Sequence, residues 1–159
     1  MPESLDSLLR KIKGKRLLIM GIGNRLRGDD AVGSLLIDRL EGKVNAELLD
    51  ASDVPENYLG VIESASPEII LVVDAVNFGG KPGEVSLFIL DQLADTAVST
   101  HNTSLSLLFK VLQINPPPEV FLLAIQPANI TLGESLSAPV IETLDMLARL
   151  LSYPARSIC

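Results

Sequence analysis

Short apolar runs alternate along the chain with segments whose apolar residues recur every three or four positions. The runs predict strands and the spaced segments predict amphipathic helices, because side chains on one face repeat every two residues in a strand and about every 3.6 residues in a helix. The predicted strands are Arg16–Met20, Ala46–Asp50, Glu68–Val73, Val85–Leu90 and Glu119–Gln126. The predicted helices cover residues 3–13, 31–40, 55–64, 103–114 and 137–151.

The order of these elements predicts a single α/β domain, a three-layer αβα sandwich with a mostly parallel sheet of about five strands. The run EIILVV at residues 68–73 is apolar on both faces and predicts a strand at the sheet centre. The turn-rich residues 79–83 allow the strand that follows them to be antiparallel. We assign residues 1–15 to an N-terminal helical extension, 16–153 to the α/β domain and 154–159 to a C-terminal tail.

The composition of the chain argues against several classes of function. Hydrophobic residues make up 47% of the 159 residues, and 13 basic against 20 acidic side chains give a net charge of −7, which argues against nucleic-acid binding. The single cysteine, Cys159, excludes a disulfide framework and a cysteine-based metal site. Acidic residues near the N-terminus do not fit a signal peptide, and long apolar stretches are lacking. We therefore predict a cytoplasmic protein without membrane insertion.

Three polar segments follow predicted strands or precede a predicted helix. They are residues 21–30, which read GIGNRLRGDD, residues 74–77 and residues 99–103, which contain His101, the only histidine. Ligands of open α/β sheets bind beyond the carboxyl ends of the strands. These segments are therefore the candidates for a functional site.

The glycines of the first segment have two interpretations. Gly21 and Gly23 fit a tight turn that requires positive φ or a close backbone approach. They also suggest a dinucleotide-binding loop, but Leu26 stands where the third glycine belongs, and the carboxylates of Asp29 and Asp30 would repel a phosphate. Either aspartate alone could also be a helix N-cap.

Carboxylates of the first two segments and the imidazole of His101 form a candidate metal site for zinc, nickel or another first-row divalent ion. Without a thiolate, its affinity is expected to be moderate. Taken singly, Asp74 also fits a strand-end carboxylate that caps nearby amides, and His101 fits a hydrogen-bonded structural histidine.

The segment GIGNRLRGDDAVG at residues 21–33 resembles the opening signature of the hydrogenase maturation proteases, which trim the C-terminal extension from nickel–iron hydrogenase large-subunit precursors. Four further segments resemble the same family in order and spacing: Asp74-Ala75, Pro82–Val85, Ser99–Asn102 and Ile125–Pro127. Within the family, the sequence resembles the proteases that serve hydrogenase 3.

The resemblance implies roles for particular residues. Asp30 and Asp74 correspond to the catalytic carboxylates, and His101 joins them as a metal ligand. Gly21, Gly23, Asn24 and Asp29 form a supporting loop. The implied metal is nickel delivered in the precursor, although zinc or cadmium could bind the same ligands in crystals. The implied enzyme is monomeric and acts on a nickel-loaded large-subunit precursor.

Two chemical schemes remain open at this point. The nickel ion could polarise the scissile carbonyl or activate water, or the two aspartates could act as general base and acid while the metal serves only recognition. A nickel-binding chaperone without peptidase activity would need the same ligands. A nucleotide-binding domain is the other function class, and it predicts tight binding of a nicotinamide or adenine nucleotide.

Overall fold

The computed structural model describes residues 4–90 and 102–152 of the chain. The strands in these residues are β1 Leu17–Ile22, β2 Glu47–Ser52, β3 Ile69–Ala75, β4 Val85–Ile89 and β5 Glu119–Ile125. The helices are α1 Leu5–Ile12, α2 Val32–Leu40, α3 Leu59–Ala65, α4 Asn102–Val111 and α5 Ala138–Ser152. Two 3₁₀ turns, Gly28–Ala31 and Pro55–Tyr58, lead directly into α2 and α3.

The strands form one five-stranded sheet in the order β2-β1-β3-β5-β4. The pairs β1–β2, β1–β3 and β3–β5 are parallel, and only β4 runs antiparallel to its neighbour β5. The predicted central strand is β3, and its Val72 pairs with Met20 of β1. The carboxyl ends of β1, β3 and β5 therefore share one edge, which we call the carboxyl edge.

Helices cover both faces of the sheet. Leu71 and Val73 of β3 pack into an apolar cluster with residues of α1, α2 and α5. Ile70 and Val72, on the opposite face of the same strand, pack into a second cluster with residues of α3 and α4. This alternation produces the predicted three-layer sandwich with a mostly parallel five-stranded sheet, and the fold-class prediction is confirmed.

Several predicted boundaries were wrong at the carboxyl edge. The strands β2 and β3 end at Ser52 and Ala75, two residues later than predicted, and β5 ends at Ile125, one residue earlier. β1 continues beyond Met20 to Ile22, so Gly21 lies in the strand and not in the supporting loop. The turn Gly28–Ala31 precedes α2, which begins at Val32 instead of Ala31. The predicted helix over residues 55–64 is a 3₁₀ turn followed by the seven-residue α3.

The N-terminal helix belongs to the packed structure. Ser4 is its N-cap and accepts a hydrogen bond from the backbone of Ser7, and Leu8 and Ile12 are buried in the cluster that contains β3. The division into extension, domain and tail stays a prediction. Among the described residues, no helix combines the length and the apolar composition that crossing a membrane requires.

Candidate active site

The loop after β1 is a compact turn organised by Asn24. The Asn24 side-chain Oδ1 accepts the N–H of Leu26 at 2.9 Å, and its carbonyl accepts the N–H of Arg27 at 3.1 Å. The carbonyl of Arg27 in turn accepts the N–H of Asp30 at 3.0 Å. An asparagine that bonds the backbone two residues ahead is typical of an Asx turn. The predicted supporting residue Asn24 therefore shapes the segment that presents Asp30.

Asp30 is half-buried and lies in the 3₁₀ turn before α2. Its Oδ2 accepts the N–H of Asn24 at 3.1 Å. Within the described parts of the chain, no donor bonds to Oδ1. The turn lies against β3, with Cα atoms of the two elements within 8 Å. Asp30 thus neighbours the strand that carries Asp74.

Asp74 is the penultimate residue of β3 and is completely buried. It follows Val72 by two positions, so its side chain lies on the sheet face covered by α3 and α4. Leu105 and Leu108 of α4 pack in the apolar cluster on that face. Asp74 is therefore covered by the helical layer that contains α3 and α4.

His101 lies outside the described residues, and Asn102, the next residue, begins α4. Within residues 4–90 and 102–152 there is no group of three histidine, cysteine or acidic side chains that could hold a metal ion. The metal site of Asp30, Asp74 and His101 therefore stays a prediction.

Asp29 is completely buried and anchors the loop that follows β5. Its Oδ1 accepts the N–H of Ser137 at 2.7 Å. Its Oδ2 accepts the Ser137 hydroxyl and the N–H of Ala128, both at 2.8 Å, and the N–H of Asn129 at 3.2 Å. The alternative that Asp29 or Asp30 is a helix N-cap is wrong, because neither side chain caps the 3₁₀ turn or α2 in the described structure. Asp29 therefore joins the turn before α2 to the loop that follows β5.

Gly21 and Gly23 permit close backbone approach. A Cβ on Gly21 would overlap the carbonyl of Gly33 in α2, and a Cβ on Gly23 would overlap the carbonyl of Asp30. Neither glycine has positive φ, so close approach is the correct one of the two predicted reasons. Gly28 does have positive φ and lies against Asn129, a role that the sequence analysis missed.

Gln126 organises the loop that follows β3. Its Oε1 accepts the N–H of Phe78 at 2.9 Å and of Gly80 at 3.1 Å, and its Nε2 donates to Oδ1 of Asn77 at 3.1 Å. Gln126 was predicted to end the last strand and to belong to a segment of the resemblance, but its side-chain hydrogen bonds were not predicted. Its position directly after the buried strand β5 was the available signal for a structural role at the carboxyl edge.

Four residues that the sequence analysis did not single out form what we call the Arg25 cluster: Arg25, Ser34, Asp38 and Asp50. The Arg25 guanidinium binds both carboxylate oxygens of Asp38, at 2.6 and 3.0 Å, and Oδ2 of Asp50 at 2.8 Å. The Ser34 hydroxyl donates to Oδ1 of Asp50 at 2.7 Å. The cluster connects the loop after β1 to α2 and β2.

Hydrogen bonding keeps the Arg25 cluster charged. The hydrogen bond from Arg25 lowers the pKa of Asp38. Burial acts to raise the pKa of Asp50, but hydrogen bonds from Arg25, Ser34 and the backbone of Ser52 outweigh it and the pKa is lowered. The hydrogen bonds to Asp38 and Asp50 raise the pKa of Arg25 above its usual range. Both carboxylates therefore lose their charge only on acidification below the ordinary aspartate range.

Replacement of Asp29 by asparagine is expected to lower the free energy of unfolding by about 2–4 kcal/mol, because the amide NH₂ would face donors and the charge-assisted bonds would be lost. Urea denaturation measures the change. Asp53→Asn, at an exposed aspartate just beyond β2, is the matched control and should change stability by less than about 0.5 kcal/mol. Equal stabilities of the two variants would contradict the anchoring role.

Known proteins are similar to this chain in sequence and in fold. The family model described as hydrogenase maturation protease, HycI, matches residues 31–152. The Escherichia coli K12 hydrogenase 3 maturation protease is 30% identical over 131 residues, which cover 80% of this chain and 83% of that protein.

Solved structures agree with this match. The crystal structure of the [NiFe] hydrogenase maturation protease HycI from Thermococcus kodakarensis superimposes with a TM-score of 0.81 at 32% identity, covering 94% of this chain and 99% of that one. The solution structure of the endopeptidase HycI from E. coli gives a TM-score of 0.74 at 26% identity, with coverages of 86% and 89%. With a family match over most of its length, the chain belongs to the hydrogenase maturation protease family.

Proposed function

We propose that this protein removes the C-terminal extension of a nickel–iron hydrogenase large-subunit precursor once nickel has been inserted, and so completes its maturation. The observation that carries the proposal is the position of two carboxylates: Asp30 lies in the turn after β1, and Asp74 lies near the carboxyl end of the adjacent parallel strand β3. The hydrogenase 3 maturation protease is among its relatives, which supports this choice of substrate.

Nickel enters this proposal as part of the substrate. Two carboxylates and an imidazole are donors that a borderline divalent ion accepts, and without a thiolate they bind it only moderately. We propose that Asp30, Asp74 and His101 meet an ion already held by the precursor. Joint coordination would then position the scissile peptide against the site, and orientation of this kind lowers the barrier to hydrolysis.

The two carboxylates differ in environment, which suits them to different tasks. Asp30 is half-buried with one oxygen bonded to Asn24, whereas Asp74 is completely buried. In either chemical scheme, water attacks the scissile carbonyl and the leaving amine must gain a proton. An aspartic-type reaction would divide proton acceptance and donation between the two side chains, and a nickel-assisted reaction would use them mainly as ligands.

The proposal is tested by asking whether cleavage depends on nickel in the precursor. The protein is incubated with nickel-loaded precursor, with precursor from nickel-starved cells and with a generic denatured protein, and release of the C-terminal peptide is measured by mass spectrometry. We expect cleavage of the nickel-loaded precursor alone, because the site is completed by the metal that the substrate brings. Chelation should act through the precursor's nickel.

Each other outcome has a defined meaning. Equal cleavage of the two precursors would show that nickel does not gate the reaction. Digestion of the denatured protein would show a general protease. Tight retention of nickel-loaded precursor without peptide release would identify a nickel-binding chaperone in place of a peptidase.

A further inference from the structure

We infer that Arg25 is a positioning residue, which fixes the loop after β1 so that Asp30 is presented in the geometry that cleavage requires. The inference rests on the proposed function for its kinetic consequence. Its structural consequence, restraint of the loop, can be measured independently. The observations that carry it are the hydrogen bonds of the Arg25 cluster and the short path from Arg25 to Asp30.

One guanidinium joins three parts of the fold. Arg25 belongs to the loop after β1, Asp38 lies in α2 and Asp50 lies in β2. The contact to Asp38 is bidentate, with two nitrogens on two oxygens, and such a contact fixes direction as well as distance. An arginine is suited to this task because its planar donors can serve two carboxylates at once.

The Asp50 carboxylate is itself held in place. Its Oδ1 accepts the hydroxyl of buried Ser34 at 2.7 Å and the N–H of Ser52 at 3.0 Å, which leaves Oδ2 for Arg25. The β1–β2 pairing shifts register between Gly21 and Ile22, opposite this part of β2. Arg25 therefore binds a preorganised acceptor and not a freely rotating side chain.

The path from Arg25 to Asp30 passes through one residue. Asn24 is the neighbour of Arg25 in the chain, and its N–H donates to Oδ2 of Asp30. The remaining hydrogen bonds around Asn24 stay inside the turn and reach Leu26 and Arg27. A displacement at residue 25 thus moves the donor that orients the Asp30 carboxylate.

Exposure limits what the cluster contributes to global stability. The side chains of Arg25 and Asp38 are 44% and 52% exposed, and although a bidentate pair within a network stabilises more than a single exposed ion pair, solvent screens it. The pair Arg39–Asp145, which joins α2 to α5, has similar exposure at 45% and 43% and a similar N–O distance of 2.7 Å. Arg39 is far along α2 from the turn that carries Asp30, so it provides a control for the loss of an exposed, ion-paired arginine.

The test compares Arg25→Ala, Arg25→Lys and Arg39→Ala with the parental protein. For Arg25→Ala we expect kcat for processing of nickel-loaded precursor to fall at least ~10-fold with little change in KM, since a misplacement of about 1 Å can cost ~100-fold in rate. Arg25→Lys keeps the charge but cannot bind both carboxylates as a fork, so it should recover only part of the rate. Arg39→Ala should process at the parental rate, and both alanine variants should remain folded at the assay temperature, as Tm measurements report.

Amide hydrogen exchange supplies a readout that does not depend on activity. In Arg25→Ala, exchange at the N–H groups of Asn24 and Asp30 should accelerate at least ~10-fold, whereas Arg39→Ala should leave both unchanged. Parental kinetics in Arg25→Ala would overturn the inference, as would a rise in KM alone or unchanged exchange at these two amides. If the parental protein itself releases no peptide, the proposed function fails, and the exchange data still decide whether Arg25 restrains the loop.

Discussion

Asp30→Asn and Asp74→Asn are each expected to reduce processing of nickel-loaded precursor by ~1000-fold or more. Each substitution replaces a carboxylate that is proposed to bind metal or transfer a proton with a neutral amide. Asparagine retains an oxygen that can accept the N–H of Asn24, so Asp30→Asn should keep the turn intact. Release of the C-terminal peptide under single-turnover conditions measures the loss. Circular dichroism reports whether the fold is retained.

Asp53→Asn is the charge-matched control for both variants. Asp53 is exposed just beyond β2, so its neutralisation changes net charge equally without touching either candidate carboxylate. It should process at the parental rate. A parental rate in Asp30→Asn or Asp74→Asn would remove that residue from the proposed catalytic site.

Gly33→Ala is expected to destabilise the protein by about 3 kcal/mol or more, at the upper end of what single substitutions do. A Cβ on Gly33 would overlap the carbonyl oxygens of Ile22 in β1 and Val73 in β3. Both obstacles are backbone atoms of paired central strands, and they cannot rotate aside as a side chain would. The variant should therefore accumulate as insoluble protein or unfold at a much lower Tm.

Gly60→Ala provides the helical control. A Cβ on Gly60 in α3 would meet no described heavy atom within 4 Å, and alanine is favoured over glycine in a helix by up to about 1 kcal/mol. This variant should be as stable as the parental protein or slightly more stable. Similar Tm values for Gly33→Ala and Gly60→Ala would contradict the close packing of α2 on the sheet.

The sheet was predictable because burial leaves a direct pattern in the sequence. Residues 69–73 have apolar side chains at five consecutive positions, and a strand covered on both faces accommodates such a run easily. The end of β1 was not predictable in the same way. Gly21 was interpreted as a loop residue, yet it lies in β1, and the close approach of α2 is the reason that the position holds a glycine. The sequence alone does not distinguish a glycine that is required by the close approach of a distant segment from a glycine that is required by a turn.

The hydrogen bonds of Asp29 and of the Arg25 cluster could not be predicted from the sequence. The partners of Asp29 lie about a hundred positions further along the chain, and three of its four donors are backbone amides that no side-chain pattern reveals. In the Arg25 cluster, Arg25 binds Asp38, which is 13 positions away along the chain, and Asp50, which is 25 positions away. In a chain with 20 acidic and 13 basic side chains, many such pairings are conceivable, and the fold determines which of them forms.

The loop that follows β5 is anchored to Asp29 mainly through its backbone amides, so its side chains are free to change during evolution. Because Ala128 and Asn129 bind Asp29 with main-chain N–H groups, substitutions at those positions by any residue except proline retain the donors. Exposed Ile130 and Leu132 lie in the same loop. Side chains of this loop can thus change over generations while Asp29 keeps its backbone in place, so the surface beside the turn that carries Asp30 can diverge without loss of the anchor.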